Sequence, residues 1–278
     1  MFCTVNDCEI YYEVVGEGKP LLMLHGFPLD HQMMKGCMEP IFKKRHGWKR
    51  IYFDLPGMGK SKVSEKVKNT DDMVNTVLAF IKEVIGDEKF VVAGESYGGT
   101  MARAIIYHLP DMVDGMFIFC PSKKPGTTPD NLPTRNVMRI DDEFVKTLEK
   151  EDLEFIQSFA VVQDRYTWDR IKDETMSGHS LRDKEFIARY SKEELLKLSY
   201  DIDKLKKPYD KPSLILTGRQ DHWAGFKDAW NFYENYPRGS FVVLDKAGHG
   251  LQYEQVLLFN VLVDEWLDRV EEELEEQI

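Results

Sequence analysis

The 278-residue chain lacks the features that mark several functional classes. No uninterrupted apolar run approaches the roughly 18 residues that would suggest a membrane span. The opening "MFCTVNDCEIYYEV" has neither the basic start nor the apolar stretch of a signal peptide. Cysteine is scarce. Cys3, Cys8, Cys37 and Cys120 show no metal-ligand spacing, so no metal site is expected, and the cytoplasm, with reduced thiols, is the expected compartment. Positive charge is also in deficit, at 37 Lys and Arg against 48 Asp and Glu, a formal net charge of −11. The bases are scattered among acids rather than gathered on one stripe, which excludes nucleic-acid backbone binding. Part of the acidic excess lies in "DRVEEELEEQI", read as a solvated helix end without a partner. There are no internal repeats. A phosphate loop is missing as well: in "DLPGMGKS" the earlier glycine that Gly59, Lys60 and Ser61 would require falls at Asp54, so the segment reads as a turn.

What is present is a globular composition, 42% hydrophobic and 31% charged, long enough to bury a substantial core as one large α/β domain or two ordinary ones. "CEIYYEVVGEGKP" alternates and closes in Gly and Pro, as an early strand would. "PLLMLHG", "RIYFDLPG", "KFVVAGES", "GMFIFCPS", "SLILTGRQD" and "SFVVLDKAGHG" are short, nearly continuous apolar runs, the signature of parallel strands covered on both faces. Helical patterns lie between them. In "TDDMVNTVLAFIKEVIG", Thr70 is placed to cap the start, Val74, Val77, Leu78, Ile81 and Ile85 share a face, and Gly86 stops the helix. "TMARAIIYHL" and "QVLLFNVLVDEWLDRV" read the same way. Alternating strands and helices predict a mostly parallel sheet flanked by helices.

One region breaks this rhythm. Residues 122–203 offer no convincing buried strand, but "DDEFVKTLEKEDLEFIQSFAVV" and "DKEFIARYSKEELLKLSYDI" carry helical spacing, preceded by the linker-like "PSKKPGTTPDNLP". The expected organisation is therefore a core in two parts, 1–121 and 204–278, with a helical cap inserted over 122–203. Among the aromatic residues of the cap, Tyr166 and Trp168 in "QDRYTWDR" are the candidates for lining a pocket beneath it.

The chemistry-bearing segment is "GESYGG", residues 94–99, between a strand and a helix. A G-x-S-x-G at such a junction holds its serine forward on a strained turn, so Ser96 is the candidate nucleophile. A serine hydroxyl needs a base, and the base needs an orienting group. Of seven histidines, only His249 in "DKAGHGLQYEQ" lies in a loop between a final strand and a final helix. Asp221, at the end of "SLILTGRQD", lies on the same strand-end rim. Asp245 is the rival acid, but it sits so close before His249 that it reads as a turn residue.

These segments, with "HGFP" at 25–28, occur in an order that resembles the α/β-hydrolase superfamily over nearly the whole chain. The resemblance implies an α/β-hydrolase fold with a helical cap. It also implies an oxyanion hole made by the backbone N–H groups of Phe27 and Tyr97, the residues after the His-Gly pair and after the serine. His25 itself reads as a shaper of the strand-exit turn. The implied activity is hydrolysis of a small carboxylic ester or related acyl compound through an acyl-enzyme, with no metal and no organic cofactor. Perhydrolysis and carbon–carbon cleavage in diketones use the same triad. A catalytically silent binder of a small hydrophobic ligand is the alternative from another class. Haloalkane dehalogenases and epoxide hydrolases share "HGFP" but use a carboxylate where this chain has Ser96. Monomer and homodimer are both compatible with the surface composition.

Overall fold

The apolar runs become strands wherever a turn residue closes them, and the sheet they form accounts for their composition. The computed structural model describes residues 1–122 and 131–276, so most of the linker-like "PSKKPGTTPDNLP" lies outside the described residues. In chain order the strands are β1 (Phe2–Val5), β2 (Cys8–Val15), β3 (Lys19–Leu24), β4 (Trp48–Phe53), β5 (Phe90–Glu95), β6 (Val113–Phe119), β7 (Arg139–Ile140), β8 (Val162–Gln163), β9 (Ser213–Gly218) and β10 (Gly239–Leu244). Eight of them form one sheet in the order β1-β2-β4-β3-β5-β6-β9-β10. Only the β1–β2 and β2–β4 pairings are antiparallel; the rest of the sheet is parallel.

The period of two along each strand divides the core into two layers. Leu22, Leu24, Ile51, Phe53, Val92 and Ile118 face α2 (Thr70–Val84) and α3 (Tyr97–His108). Their neighbours Leu21, Met23, Tyr52, Val91, Phe117 and Leu216 face α1 (His31–Phe42) and the C-terminal helix Val256–Glu275. Both faces of the central strands are dry, which is why the runs read as continuously apolar. Each such side chain contributes roughly 1.5–3 kcal/mol on burial.

Three local expectations need correction. The N-cap of α2 is Asn69, whose side chain accepts from the Asp72 N–H at 3.0 Å; Thr70 lies one residue inside, buried, with its hydroxyl donating to the Leu195 carbonyl. The cap requires an extended backbone outside the helix, and Asn69 has it, with φ −149°. The acidic tail is not without partners. Glu271 accepts from Trp48 Nε1 and Arg45, and Glu273 pairs with Lys211 and Arg238. The region between β6 and β9 does contain a strand pair, since β7 and β8 align in parallel, and Val162 and Gln163 are buried.

That region otherwise holds α4 (Asp142–Val145), α5 (Lys150–Phe159), α6 (Arg165–Ile171), a π-helical turn at Lys172–Met176, α7 (Ser177–Leu181) and α8 (Lys184–Tyr190). Phe144, Ile156, Phe159, Trp168 and Ile171 gather into a small core of their own against Tyr253. Phe186 and Tyr190 of α8 instead join the main core. The chain closes with α9 (Lys227–Tyr233), α10 (Leu251–Glu254) and α11 (Val256–Glu275). Among the described residues no helix is long and apolar enough to cross a membrane.

Candidate active site

Ser96 occupies the turn between β5 and α3 at φ 52°, ψ −113°, a backbone state that an L-residue adopts at a cost of roughly 1–3 kcal/mol. The surroundings hold it there. Its N–H donates to the Phe119 carbonyl at 3.0 Å, and its carbonyl accepts from Gly99 and Ser122 at 3.0 and 3.1 Å. The flanking glycines are required by close approach: a Cβ on Gly94 would stand 2.3 Å from the Gly98 carbonyl oxygen, and one on Gly98 2.1 Å from that of Leu24.

The loops after β9 and β10 bring two more side chains to this turn. His249 Nε2 lies 3.1 Å from Ser96 Oγ, and His249 Nδ1 lies 2.9 Å from Asp221 Oδ2. Asp221 is fully buried, and its other oxygen accepts the N–H groups of Trp223 and Ala224, both at 2.9 Å. A carboxylate on Nδ1 fixes the proton there, so the neutral ring offers the Nε2 lone pair to Ser96. Asp245 is exposed and accepts from Gln220 Nε2 instead, as a turn residue.

Two acids that sequence reasoning passed over also act on this imidazole. Glu95, the last residue of β5, places Oε1 3.3 Å from His249 Nε2. Glu254 at the end of α10 accepts the Gly248 N–H at 2.6 Å and the Val161 N–H at 2.7 Å. Burial alone would lower the His249 imidazole, but Asp221 most strongly, then Glu95 and Glu254, raise it to about 9. For Asp221 burial opposes ionisation, yet His249 and the two N–H donors hold its carboxyl below its ordinary value. Glu95 behaves in the opposite way, pushed by burial up to about 7. The signal for Glu95 was in plain sight, an acid inside an otherwise apolar strand.

Ser96, Glu95 and His249 open into a cavity of about 820 Å³ whose walls include Phe27, Leu29, Met33, Phe155, Phe159 and Trp223. Trp223, two residues past Asp221, lays its ring 5.4 Å from that of His249. Phe27 and Tyr97 both line the cavity beside Ser96. Neither of their backbone N–H groups is taken by another backbone carbonyl among the described residues. The Tyr97 side chain has its own work, its hydroxyl lying 2.8 Å from that of Tyr190 and 3.1 Å from Thr70 Oγ1. His25 shapes the strand exit as expected. Its Nε2 accepts from the Leu55 N–H at 3.0 Å, so its Nδ1 proton is given to the Gly26 carbonyl at 2.8 Å. The segment "DLPGMGKS" is likewise a turn, with Asp54 accepting the Lys60 N–H and, through its carbonyl, the Ser61 hydroxyl.

Tyr166 and Trp168 do not line this cavity. They stand two residues apart on α6 and point to opposite sides of it: Tyr166 is exposed, its hydroxyl accepting from Arg170, and Trp168 is sealed inside the small core between β6 and β9. Phe155 and Phe159, spaced four apart on α5, supply the aromatic wall instead.

With this geometry in view, the sequence profile of the α/β-hydrolase fold was found to match residues 19–256. The chain belongs to the α/β-hydrolase family. It is 26% identical over 276 residues to the AB hydrolase superfamily protein YisY of Bacillus subtilis (strain 168), covering 94% of this chain and 96% of that one. It is 23% identical over 272 residues to 2-hydroxy-6-oxononadienedioate/2-hydroxy-6-oxononatrienedioate hydrolase 2 of Pseudomonas putida, covering 94% and 92%. Among solved structures, an α/β superfamily hydrolase from Oenococcus oeni PSU-1 superposes with a TM-score of 0.84 at 29% identity, covering 98% and 99%.

In this α/β-hydrolase the clustered metal-type donors among the described residues are Cys120, Asp221 and His249, whose candidate ligand atoms lie within 4.8 Å of one another. They make a poor metal site. Burial pushes the Cys120 thiol well above its ordinary value, keeping it protonated, and the His249 nitrogen nearest the acid is already hydrogen-bonded to it.

Proposed function

We propose that the protein is a serine hydrolase that cleaves a small, uncharged carboxylic ester or related acyl compound. Ser96 attacks the carbonyl while His249 takes its proton, and Asp221 holds the imidazole and balances its developing charge. The N–H groups of Phe27 and Tyr97 receive the oxyanion, a role in which one preorganised donor is worth about 3 kcal/mol of barrier. Water activated by His249 then releases the acid. The observation carrying this reading is the unbroken contact series Asp221–His249–Ser96, at 2.9 and 3.1 Å, opening into a mainly apolar cavity. The test is a p-nitrophenyl ester series graded by acyl length, run beside fluorophosphonate labelling, on the parent and on Ser96→Ala. Loss of both labelling and turnover in the variant is expected; unchanged turnover would exclude the proposal. A single slow turnover in the parent would favour a silent binder.

Carbon–carbon cleavage is the second reading, favoured by the Pseudomonas putida relative, whose name specifies a dicarboxylate substrate. A dianion needs cations in the wall. The described wall offers Arg103, Lys197 and the His249 imidazole: Arg103 donates to both oxygens of Asp203 at 2.6 and 2.8 Å, Lys197 lies 3.5 Å from Glu193 in an exposed pair, and His249 is taken up by the catalytic contacts. The neutral ester is preferred because the wall is mainly apolar and its buried arginine is taken by Asp203.

A further inference from the structure

We infer that Glu95 is a second acidic partner of His249, a positioning residue that competes with Ser96 for Nε2 and so decides when the imidazole is free to act as a base. This inference rests on the assignment of His249 and Ser96 as base and nucleophile. Its own footing is geometric. Nε2 has two oxygen neighbours at similar range, Ser96 Oγ at 3.1 Å and Glu95 Oε1 at 3.3 Å. The Glu95 side chain is buried, its Oε2 has no hydrogen-bond partner among the described residues, and a Cβ on Gly26 would stand 2.0 Å from that oxygen. The carboxyl is thus held against the Gly26 backbone on one side and faces the imidazole on the other.

The ionisable groups facing this pair come from every element packed around it. Asp221 enters from the end of β9, Glu254 from α10, the Cys120 thiol from the end of β6 and the Cys37 thiol from α1. Burial keeps both thiols protonated, so the charges that matter are Asp221, Glu254 and Glu95 itself. With Glu95 ionised and His249 protonated, the Nε2–H is donated to Glu95 and no lone pair faces Ser96. Loss of that proton frees the lone pair, and Ser96 becomes the donor. The remaining Glu95 charge then favours the imidazolium that forms as Ser96 attacks. Glu95 thus moves the onset of activity to higher pH while strengthening the base once it is free, because an anion within about 4–6 Å raises an imidazole pKa by ~1–3 units.

The experiment is the pH profile of kcat/KM for p-nitrophenyl acetate in the parent, Glu95→Gln and Glu95→Asp, with the His249 ring titrated by nitrogen-15 NMR in each folded protein. The inference expects the acid limb and the ring titration of Glu95→Gln to fall by about one unit or more, with a lower plateau above it. Glu95→Asp, whose carboxyl is drawn back by one methylene, should shift less. Superimposable limbs and ring titrations in a folded Glu95→Gln protein would overturn it. If that variant does not fold, Glu95→Asp decides: a ring titration superimposable on that of the parent in the folded Glu95→Asp protein sinks the inference. Absence of ester turnover in the parent would count against the parent reading alone, since the ring titrations address Glu95 without any substrate.

Discussion

Glu254 offers the sharpest test of how the site is held. Its Oε1 accepts the N–H groups of Val161 and Val162 at 2.7 and 3.3 Å, and its Oε2 accepts that of Gly248 at 2.6 Å, one residue before His249. One side chain therefore ties the start of β8 to the loop carrying the imidazole. Glu254→Ala leaves three donors without this acceptor; at ~1 kcal/mol net for each hydrogen bond the sum is about 3 kcal/mol, less where water can enter. Glu254→Gln keeps one accepting oxygen and turns an NH₂ toward the other N–H, so its cost should be about 1–2 kcal/mol. Stability should thus fall from parent to Gln to Ala. Activity should fall faster, because a displacement of about 1 Å at the imidazole can cost 10²-fold in rate. Urea denaturation measures the first effect, and kcat/KM on p-nitrophenyl acetate, at a temperature where every variant is folded, measures the second. A Glu254→Ala protein with unchanged midpoint, slope and kcat/KM would refute this reasoning.

Asp221→Asn should leave the fold intact and KM nearly unchanged while kcat drops by about 10³–10⁴, because an amide in place of the acid selects the wrong imidazole tautomer; steady-state kinetics showing less than a tenfold loss would count against the assigned role. Gly98→Ala should lower the thermal midpoint sharply, by an amount corresponding to ~3 kcal/mol or more, since its Cβ would meet the Leu24 carbonyl oxygen at 2.1 Å and neither backbone can withdraw. A melt indistinguishable from the parent would refute the close approach of Gly98 to Leu24 as a constraint on the turn.

The sheet and its rim were legible because their signals are local. A strand dry on both faces must be apolar throughout, and a strained serine turn must carry glycine at fixed offsets, so Ser96, Asp221 and His249 could be picked out one by one. The wall of the cavity was not legible in that way. Helical spacing groups residues by face without saying which face meets the cavity, and Trp168, singled out with Tyr166 among the aromatic residues of the cap, is buried in a small core instead. The better signal was the four-residue spacing of Phe155 and Phe159. Contacts made across long stretches of chain left no trace at all. The acidic tail looked solvated, yet Glu271 meets Arg45 across 226 residues, and no local pattern could announce that pairing.

The charge around the imidazole bears on what the proposed enzyme accepts. Glu95, Asp221 and Glu254 all act on His249, and the described cations of the cavity wall are paired with Asp203 and Glu193. An anionic group brought beside Ser96 would meet Glu95 at close range, offset among the buried groups only by the His249 imidazolium while it is protonated, and in a buried site the repulsion is poorly screened. The same field opposes the oxyanion that forms when Ser96 attacks. Neutral dipoles are then the suitable stabilisers, because backbone N–H groups lower the energy of the oxyanion without adding a charge that would compete for Asp221 or Glu95. A site so acidic around its base thus favours an uncharged acyl substrate and makes the N–H groups of Phe27 and Tyr97 more important to the proposed reaction than any side chain opposite them.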